Sequence, residues 1–437
     1  MCSIAGSRTK ETTEKMLEIM KHRSPNGYKA LEDKKFSLGM GRLAIVDLKS
    51  PDLFPFSENG LSLTFNGEIY NYVELKWHLQ RRGHKLRTTS DTEVLFRAWQ
   101  EWGVDMFAKL NGMFALAIYD GNKVILARDI AGEKPLYYQE KPFSFSSEAK
   151  ALNFDCIEFP PAHYAVYDFK QITFHRYWKF TPKHIFLKTA TEELEALLED
   201  AVKLRTSLEV PYGLYYSGGI DSSLIRTFHY FPKSYTYDDK PEFKEEFKEL
   251  FPKILYHLDG PITSFSPFGL WKLAEQASKK VKVIISGEGA DELFGGYARF
   301  ILPQFQYQAQ QDLPSYQKMF PNPKSVNEMG WEEFNGNLRE LLRMGDRMAA
   351  AFGLENRCPF LDKRIIEFAF SLPENLKIQG TETKVILRRI LEKRSPKYKH
   401  IEKAGLYVRV NEWLGEKDKY DKKTYLAYQN KLWKQPV

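Results

Sequence analysis

Tyr212-Gly213-Leu214-Tyr215-Tyr216-Ser217-Gly218-Gly219-Ile220-Asp221-Ser222-Ser223, residues 212–223, runs from a short apolar strand through a glycine turn into the start of a helix. Glycines there let the backbone approach phosphate closely, and the free N–H groups and dipole of a helix start favour anions. Ser217, Ser222 and Ser223 add hydroxyl donors, and Asp221 is a carboxylate able to hold Mg2+ against phosphates. No Gly-Lys-Ser/Thr follows, which excludes a Walker A loop. In isolation the stretch would be a glycine-rich strand-to-helix turn.

The sequence around it keeps the same alternation. Glu192–Arg205 has helical amphipathic spacing, and Trp271–Lys280 reads as a helix feeding the strand Val281–Ile285. Strands alternating with helices predict a parallel α/β sheet. Ser286-Gly287-Glu288-Gly289-Ala290-Asp291-Glu292-Leu293-Phe294-Gly295-Gly296-Tyr297 follows that second strand, where open α/β sheets bind their ligands. From about Leu338 the pattern is mostly helical. Lys179–Thr191 reads as a linker.

The first 178 or so residues are different in kind. Short apolar stretches alternate with turn signals: Phe36–Gly41, then Leu61–Phe65 before a turn at Asn66-Gly67, then Phe114–Tyr119, which pairs with Lys123–Ala127 across Asp120-Gly121-Asn122. Helices are predicted near Glu11–Lys21 and from Asp91 to Trp102, the latter capped by Asp91 or Thr92. Sheets and helices in separate layers predict a sandwich.

The chain has 437 residues, 43% hydrophobic and 28% charged, suited to a globular protein of two or three domains. No apolar run approaches the roughly 20 residues of a membrane helix, and the start has no signal-peptide pattern. Three cysteines, Cys2, Cys156 and Cys358, do not form a disulfide framework, so a cytoplasmic location is expected. The net charge of +7 comes from the stretch after Lys363. Without a nucleic-acid motif it reads as solvated helical surface, and no nucleic-acid or membrane partner is expected. Cys2 becomes the first residue if the initiator Met is removed. Its α-amine, with a pKa near about 8, could then serve as general base for its own thiol.

Met1-Cys2-Ser3-Ile4-Ala5-Gly6, His22–Gly27, Arg42-Leu43-Ala44-Ile45-Val46-Asp47, Asn66-Gly67-Glu68-Ile69-Tyr70-Asn71 and Ser90–Glu93, in that order, resemble the class II glutamine amidotransferase domain, an N-terminal-nucleophile hydrolase. The loop at 216–223 resembles that of the ATP pyrophosphatases, and 286–297 resembles the second signature of asparagine synthetases. Together they resemble the glutamine-hydrolysing asparagine synthetase family in a shortened form. The implied architecture is an α+β N-terminal-nucleophile hydrolase sandwich over residues 1–180. An α/β parallel-sheet ATP-pyrophosphatase domain with a helical C-terminal part would occupy 181–437.

The resemblance implies roles as well. Cys2 is the nucleophile, with Asn66 (side chain) and Gly67 (N–H) stabilising the oxyanion, two fixed donors such chemistry needs. Arg42 would take the glutamine carboxylate in a fork, Glu68 and Asp91 its ammonium, and Leu43, Ile45 and Val46 line the same pocket. Tyr215, Ser217, Gly218, Gly219, Asp221, Ser222, Ser286, Gly287 and Lys384 would contact ATP or pyrophosphate. Asp221 and Asp291 would hold Mg2+, and Glu288 would be the base for attacking ammonia. ATP is then a co-substrate, glutamine and aspartate are substrates, and a homodimer is left open. Asp346-Arg347, Gly353–Asp362 and Lys384 with Leu387-Arg388 are further matches, which the resemblance places around the phosphates and the domain interface; taken alone, Arg357 and Asp362 read as a structural ion pair.

The chain departs from the family pattern in places. His22-Arg23-Ser24-Pro25-Asn26 stands for His-Arg-Gly-Pro-Asp, and Ile130-Ala131-Gly132-Glu133 interrupts the family's Arg-Asp-Arg-Phe-Gly-Ile-Lys-Pro. The match breaks between Leu224 and Leu255, where Lys233–Asp239 would be the adenine-side strand and a Lys/Glu/Phe-rich helix would follow. Lys403–Val410 lacks the family's Phe and Pro. Two alternatives stay open: the same scaffold acting on a different carboxylate, and a glutaminase-only or non-enzymatic binding descendant.

Overall fold

The computed structural model describes residues 1–33, 35–49, 54–183, 185–312, 323–398, 406, 408–415 and 422–433. Residues 403–405 and 407 of the stretch Lys403–Val410 therefore lie outside the described residues.

The N-terminal strands, in chain order, are β1 (Ser3–Ser7), β2 (Tyr28–Glu32), β3 (Ser37–Gly41), β4 (Phe56–Glu58), β5 (Leu61–Ile69), β6 (Gly112–Tyr119), β7 (Val124–Arg128), β8 (Tyr137–Glu140), β9 (Phe143–Ser146), β10 (Ile157–Glu158), β11 (His163–Tyr167) and β12 (Ile172–Arg176). They form two antiparallel sheets, ordered β10-β8-β9-β1-β3-β2 and β12-β11-β7-β6-β5-β4. Strand β6 shows why they stack. Its Ala115, Ala117 and Tyr119 face Ile4, Leu38 and Phe145 of the other sheet, while Phe114, Leu116 and Ile118 face Leu75, Val94 and Leu95 of the helices Tyr72–Arg81 and Asp91–Trp102. Both faces of a two-residue period are thus apolar and both are covered. Helix Lys10–Ile19 covers the outer face of the first sheet through Met16 and Leu17. The result is a four-layer α–β–β–α sandwich.

The C-terminal part is built on a parallel sheet in the order β14-β13-β15-β16, made of β13 (Tyr212–Tyr215), β14 (Ser234–Tyr235), β15 (Val283–Ile285) and β16 (Glu355–Arg357). Val283 and Ile285 pack on the helices Ala190–Thr206, Ile220–Phe228, Lys363–Ser371 and Val385–Arg394. Ile284, between them, packs on Phe243–Leu258, Pro267–Ser278 and Asn337–Ala350. The carboxyl ends of β13 and β15 deliver the loops at 216–219 and 286–289 side by side.

Several local expectations need correction. Asn66-Gly67 is not a turn: both residues lie inside β5, opposite Ala115 and Phe114. Ser90, rather than Asp91 or Thr92, caps the helix at 91, its Oγ accepting the Thr92 N–H at 3.1 Å. The adenine-side strand is short, with Ser234 and Tyr235 alone paired. The region after 338 is mostly helical as predicted, with the short strand β16 set among its helices.

The two halves meet through buried charge. Arg23 is fully buried; its guanidinium donates to Glu148 (2.8 Å) of its own half and to Asp346 (2.8 and 3.2 Å) of the other. Arg347 reaches back to Glu148 at 2.9 Å and also holds Asp259 at 2.7 Å, and Lys150 bridges Glu148 and Asp259. Removing Arg23 leaves Asp346 without its close cation in a dry interface, while Glu148 keeps Lys150 and Arg347; breaking a buried pair in this way costs about 3–5 kcal/mol. Arg23→Ala is expected to lower unfolding stability by about that much, measured by denaturant titration. A loss within experimental error would show that the network does not hold the halves together.

Candidate functional site

The structure brings the predicted glutamine residues into one pocket, except Asn66, which is buried behind it. Cys2, Arg42, Leu43, Ile45, Val46, Gly67, Glu68 and Asp91 all line it, with Glu355 from β16 completing the wall. Cys2 lies just before β1, and its sulfur accepts the Leu43 N–H at 3.4 Å. Burial pushes its thiol pKa up. Arg42 Nη2 donates to the carbonyls of Val46 (3.3 Å) and Asp47 (2.7 Å), which folds the 42–47 loop over the pocket. Asn26, one of the departures from the family pattern, pins that loop from beneath by accepting the Ala44 N–H at 2.9 Å.

Asn66 is fully buried, and neither its Oδ1 nor its Nδ2 has a hydrogen-bond partner in the structure. An unmet buried amide costs about 1–3 kcal/mol, and this one lies one residue before Gly67, which lines the pocket. Gly67 has φ 152°, and a Cβ there would fall 2.0 Å from the Met113 carbonyl oxygen. Close strand pairing therefore requires glycine.

Glu68 and Asp91 are both pushed up by burial. Asp91 accepts the Ile69 N–H at 3.1 Å. The expected Arg357–Asp362 pair is not formed. Arg357 instead holds Glu68 and Glu355, each at 2.8 Å, while Asp362 pairs with Arg205 (3.2 Å) and Arg364 (2.9 Å). Arg357 and Asp362 each have partners of opposite charge closer in space than the one suggested by sequence proximity.

A second cavity of about 420 Å³ lies at the carboxyl ends of β13 and β15. Tyr215, Ser217, Asp221, Ser222, Ser286, Gly287, Glu288 and Asp291 line it. Gly218 and Gly219 form the loop beside it. At Gly218, with φ 76°, a Cβ would meet nothing within 4 Å, so the loop backbone is uncovered there. The Gly219 N–H donates to Ser217 Oγ and the Ser217 N–H to Ser222 Oγ, both at 3.3 Å, which shapes the loop without using every donor. Lys384, at the start of helix Val385–Arg394, does not itself line the cavity; its buried ammonium binds Asp221 and Asp291, which do.

Glu288 is half-buried at the cavity wall, and its desolvation raises its pKa. It contacts Ser286 Oγ, Asn356 Nδ2 (3.4 Å) and Cys358 Sγ (3.5 Å). Ser286 Oγ in turn donates to Asn356 Oδ1 at 2.8 Å. Among the described residues no cluster of three or more His, Cys, Asp or Glu side chains could hold a metal ion. Two carboxylates drawn to one cation nevertheless suit Mg2+, which binds through one or two carboxylates and takes its other ligands from phosphate and water.

Strand β16 stands between the two centres. Glu355 faces the first pocket, and Asn356 reaches Glu288 in the second.

Comparison with known proteins agrees with this two-centre arrangement. The glutamine amidotransferase domain model matches residues 1–188, and the asparagine synthase model matches 193–228 and 243–422. Asparagine synthetase [glutamine-hydrolyzing] 1 of Arabidopsis thaliana is 30% identical, over 87% of this chain and 72% of that protein. The chain belongs to the glutamine-hydrolysing asparagine synthetase family. A similar match is asparagine synthetase [glutamine-hydrolyzing] 1 of Bacillus subtilis (strain 168), at 26% identity over 92% of this chain and 85% of that protein. The root asparagine synthetase [glutamine-hydrolyzing] of Pisum sativum is 30% identical over 87% and 72%. The family match is interrupted at 229–242, inside the stretch where the sequence pattern also breaks.

Glu355 and Asn356 were not anticipated as site residues. The block Gly353–Asp362 was visible in the sequence, but not the side chain each residue would meet. Gly67→Ala is expected to reduce glutamine hydrolysis by about 10²-fold or more, the scale of losing one oxyanion donor. Initial-rate glutamate release measures this, and a rate near wild type would show that the strand pairing tolerates a side chain there.

Proposed function

We propose that this protein is a glutamine-dependent asparagine synthetase in which Cys2 and Glu288 act at two centres joined across β16. With Met1 removed, the Cys2 amine takes the thiol proton and sulfur attacks the glutamine side-chain carbonyl. Asn66 Nδ2 and the Gly67 N–H receive the developing oxyanion. Arg42 holds the substrate carboxylate, and Glu68 and Asp91 its ammonium. Collapse of the tetrahedral adduct expels ammonia and leaves a thioester, which water cleaves to glutamate.

In the second cavity the side-chain carboxylate of aspartate attacks the α-phosphorus of ATP. The P–O bond to pyrophosphate breaks, giving an acyl-adenylate. Ser217, Ser222 and the loop amides hold the phosphates, and Lys384 neutralises the leaving group. Mg2+, held by Asp221 and Asp291, would supply charge neutralisation between the phosphate oxygens. Ammonia attacks the acyl carbon, Glu288 accepts its proton, and AMP leaves with the C–O electron pair. Desolvation of Glu288 raises its proton affinity toward the range a general base needs.

The observation that carries this reading is β16 itself, a three-residue strand with one side chain in each centre. Without added ammonium, full-length wild type should release AMP only when glutamine, aspartate and ATP are all present. Cys2→Ala should lose glutamine-dependent synthesis and retain synthesis from ammonium salts. Asparagine formation from glutamine by Cys2→Ala would exclude Cys2 as the nucleophile. AMP release with another carboxylate in place of aspartate, and none with aspartate, would reassign the acceptor.

A further inference from the structure

Asp221 lies in the first turn of helix Ile220–Phe228, and Asp291 in the first turn of Ala290–Phe294. Their strands, β13 and β15, are adjacent and parallel, so the two helix starts sit side by side. The space between the carboxylates is filled by one ammonium group. Lys384 Nζ lies 2.7 Å from both oxygens of Asp221 and 2.8 Å from Asp291 Oδ1.

Two features show that the fold builds this placement. Lys384 sits in the left-handed region, φ 55° and ψ 36°, at the N-cap of its helix, a conformation that is strained for a non-glycine residue. Gly296 leaves the room. A Cβ there would fall 1.8 Å from Asp291 Oδ1 and 2.2 Å from Lys384 Cε. The lysine is 3% exposed, whereas the side chains of Asp221 and Asp291 are 23% and 25% exposed. The cation comes from within the protein, and the carboxylates face the cavity.

An ammonium at hydrogen-bond distance and a divalent ion compete for the same oxygens. Mg2+ needs them at about 2.0–2.1 Å in a near-octahedral shell, and it cannot enter while Lys384 lies between them. We infer that Lys384 is an internal place-holding cation: it shuts Asp221 and Asp291 to free divalent metal until a triphosphate arrives. The anionic phosphates then draw the ammonium off the carboxylates, and the metal enters as its nucleotide complex. This rests on the nucleotide role proposed for the cavity. It gives Lys384 a task before chemistry begins, in addition to contacting pyrophosphate.

The test uses Mn2+ as probe, with free and bound ion distinguished by electron paramagnetic resonance on the full chain. Without nucleotide, Lys384→Met should bind Mn2+ at least tenfold more tightly than wild type, and Lys384→Gln should behave alike if the Met variant folds poorly. Adding Asp221→Asn to either variant should abolish the gain, which places the ion at this site. Wild type with α,β-methylene-ATP should take up Mn2+. Equal metal affinity of wild type and both Lys384 variants without nucleotide would overturn the inference. Failure of wild type to take up Mn2+ with the analogue, with the gain in the variants intact, would refute the nucleotide reading of the cavity and leave the place-holding role standing.

Discussion

Arg357 is completely buried and binds one carboxylate from each half of the molecule, Glu68 and Glu355, both at 2.8 Å. Desolvating three charged groups is costly unless the geometry is good and the pairing complete. The pair across the interface therefore fixes where β16 can lie. Its position decides the rest: Glu355 closes the first pocket, and one residue later Asn356 contacts Glu288 in the second. Alternation along a strand sends neighbouring side chains to opposite faces, which is how three residues serve two centres.

The surrounding interface repeats this design. Arg23, Glu148, Lys150, Asp259, Asp346 and Arg347 form a second buried network across the same boundary. Such networks are weak sources of net stability but severe penalties for misalignment. A hydrophobic interface would tolerate sliding, whereas this one specifies a register between the halves. That register suits two reactions that must exchange ammonia, which would be protonated and lost if it reached solvent.

The sequence reveals most of the chemistry and the fold class, because both rest on local rules. The Gly-Gly loop, the terminal Cys and the Asn-Gly pair each need a particular backbone or side chain at a fixed spacing. The apolar strands Phe114–Tyr119 and Val281–Ile285 announce themselves by composition. What stays hidden depends on distant partners. Glu355-Asn356-Arg357 carries no apolar residue and no β-branched residue, so it does not read as a strand; it pairs with β15 because its charges are neutralised by residues far away in sequence. Asn66-Gly67 has the composition of a hairpin turn, yet it continues β5 because Gly67 tolerates φ 152° against the Met113 carbonyl. Arg357 and Asp362 lie close in sequence, and the structure gives each a different partner.

In the proposed function, ammonia released at Cys2 reaches Glu288 without passing through solvent. Full-length protein would be given amide-nitrogen-15 glutamine, aspartate and ATP. Unlabelled ammonium would be in large excess over the ammonia released, yet too dilute to support synthesis alone. Mass spectrometry of the product then reads the origin of its amide nitrogen. The account predicts asparagine carrying nitrogen-15 almost throughout, whatever the unlabelled ammonium present. Product labelled only to the isotopic fraction of the bulk ammonium pool would contradict it.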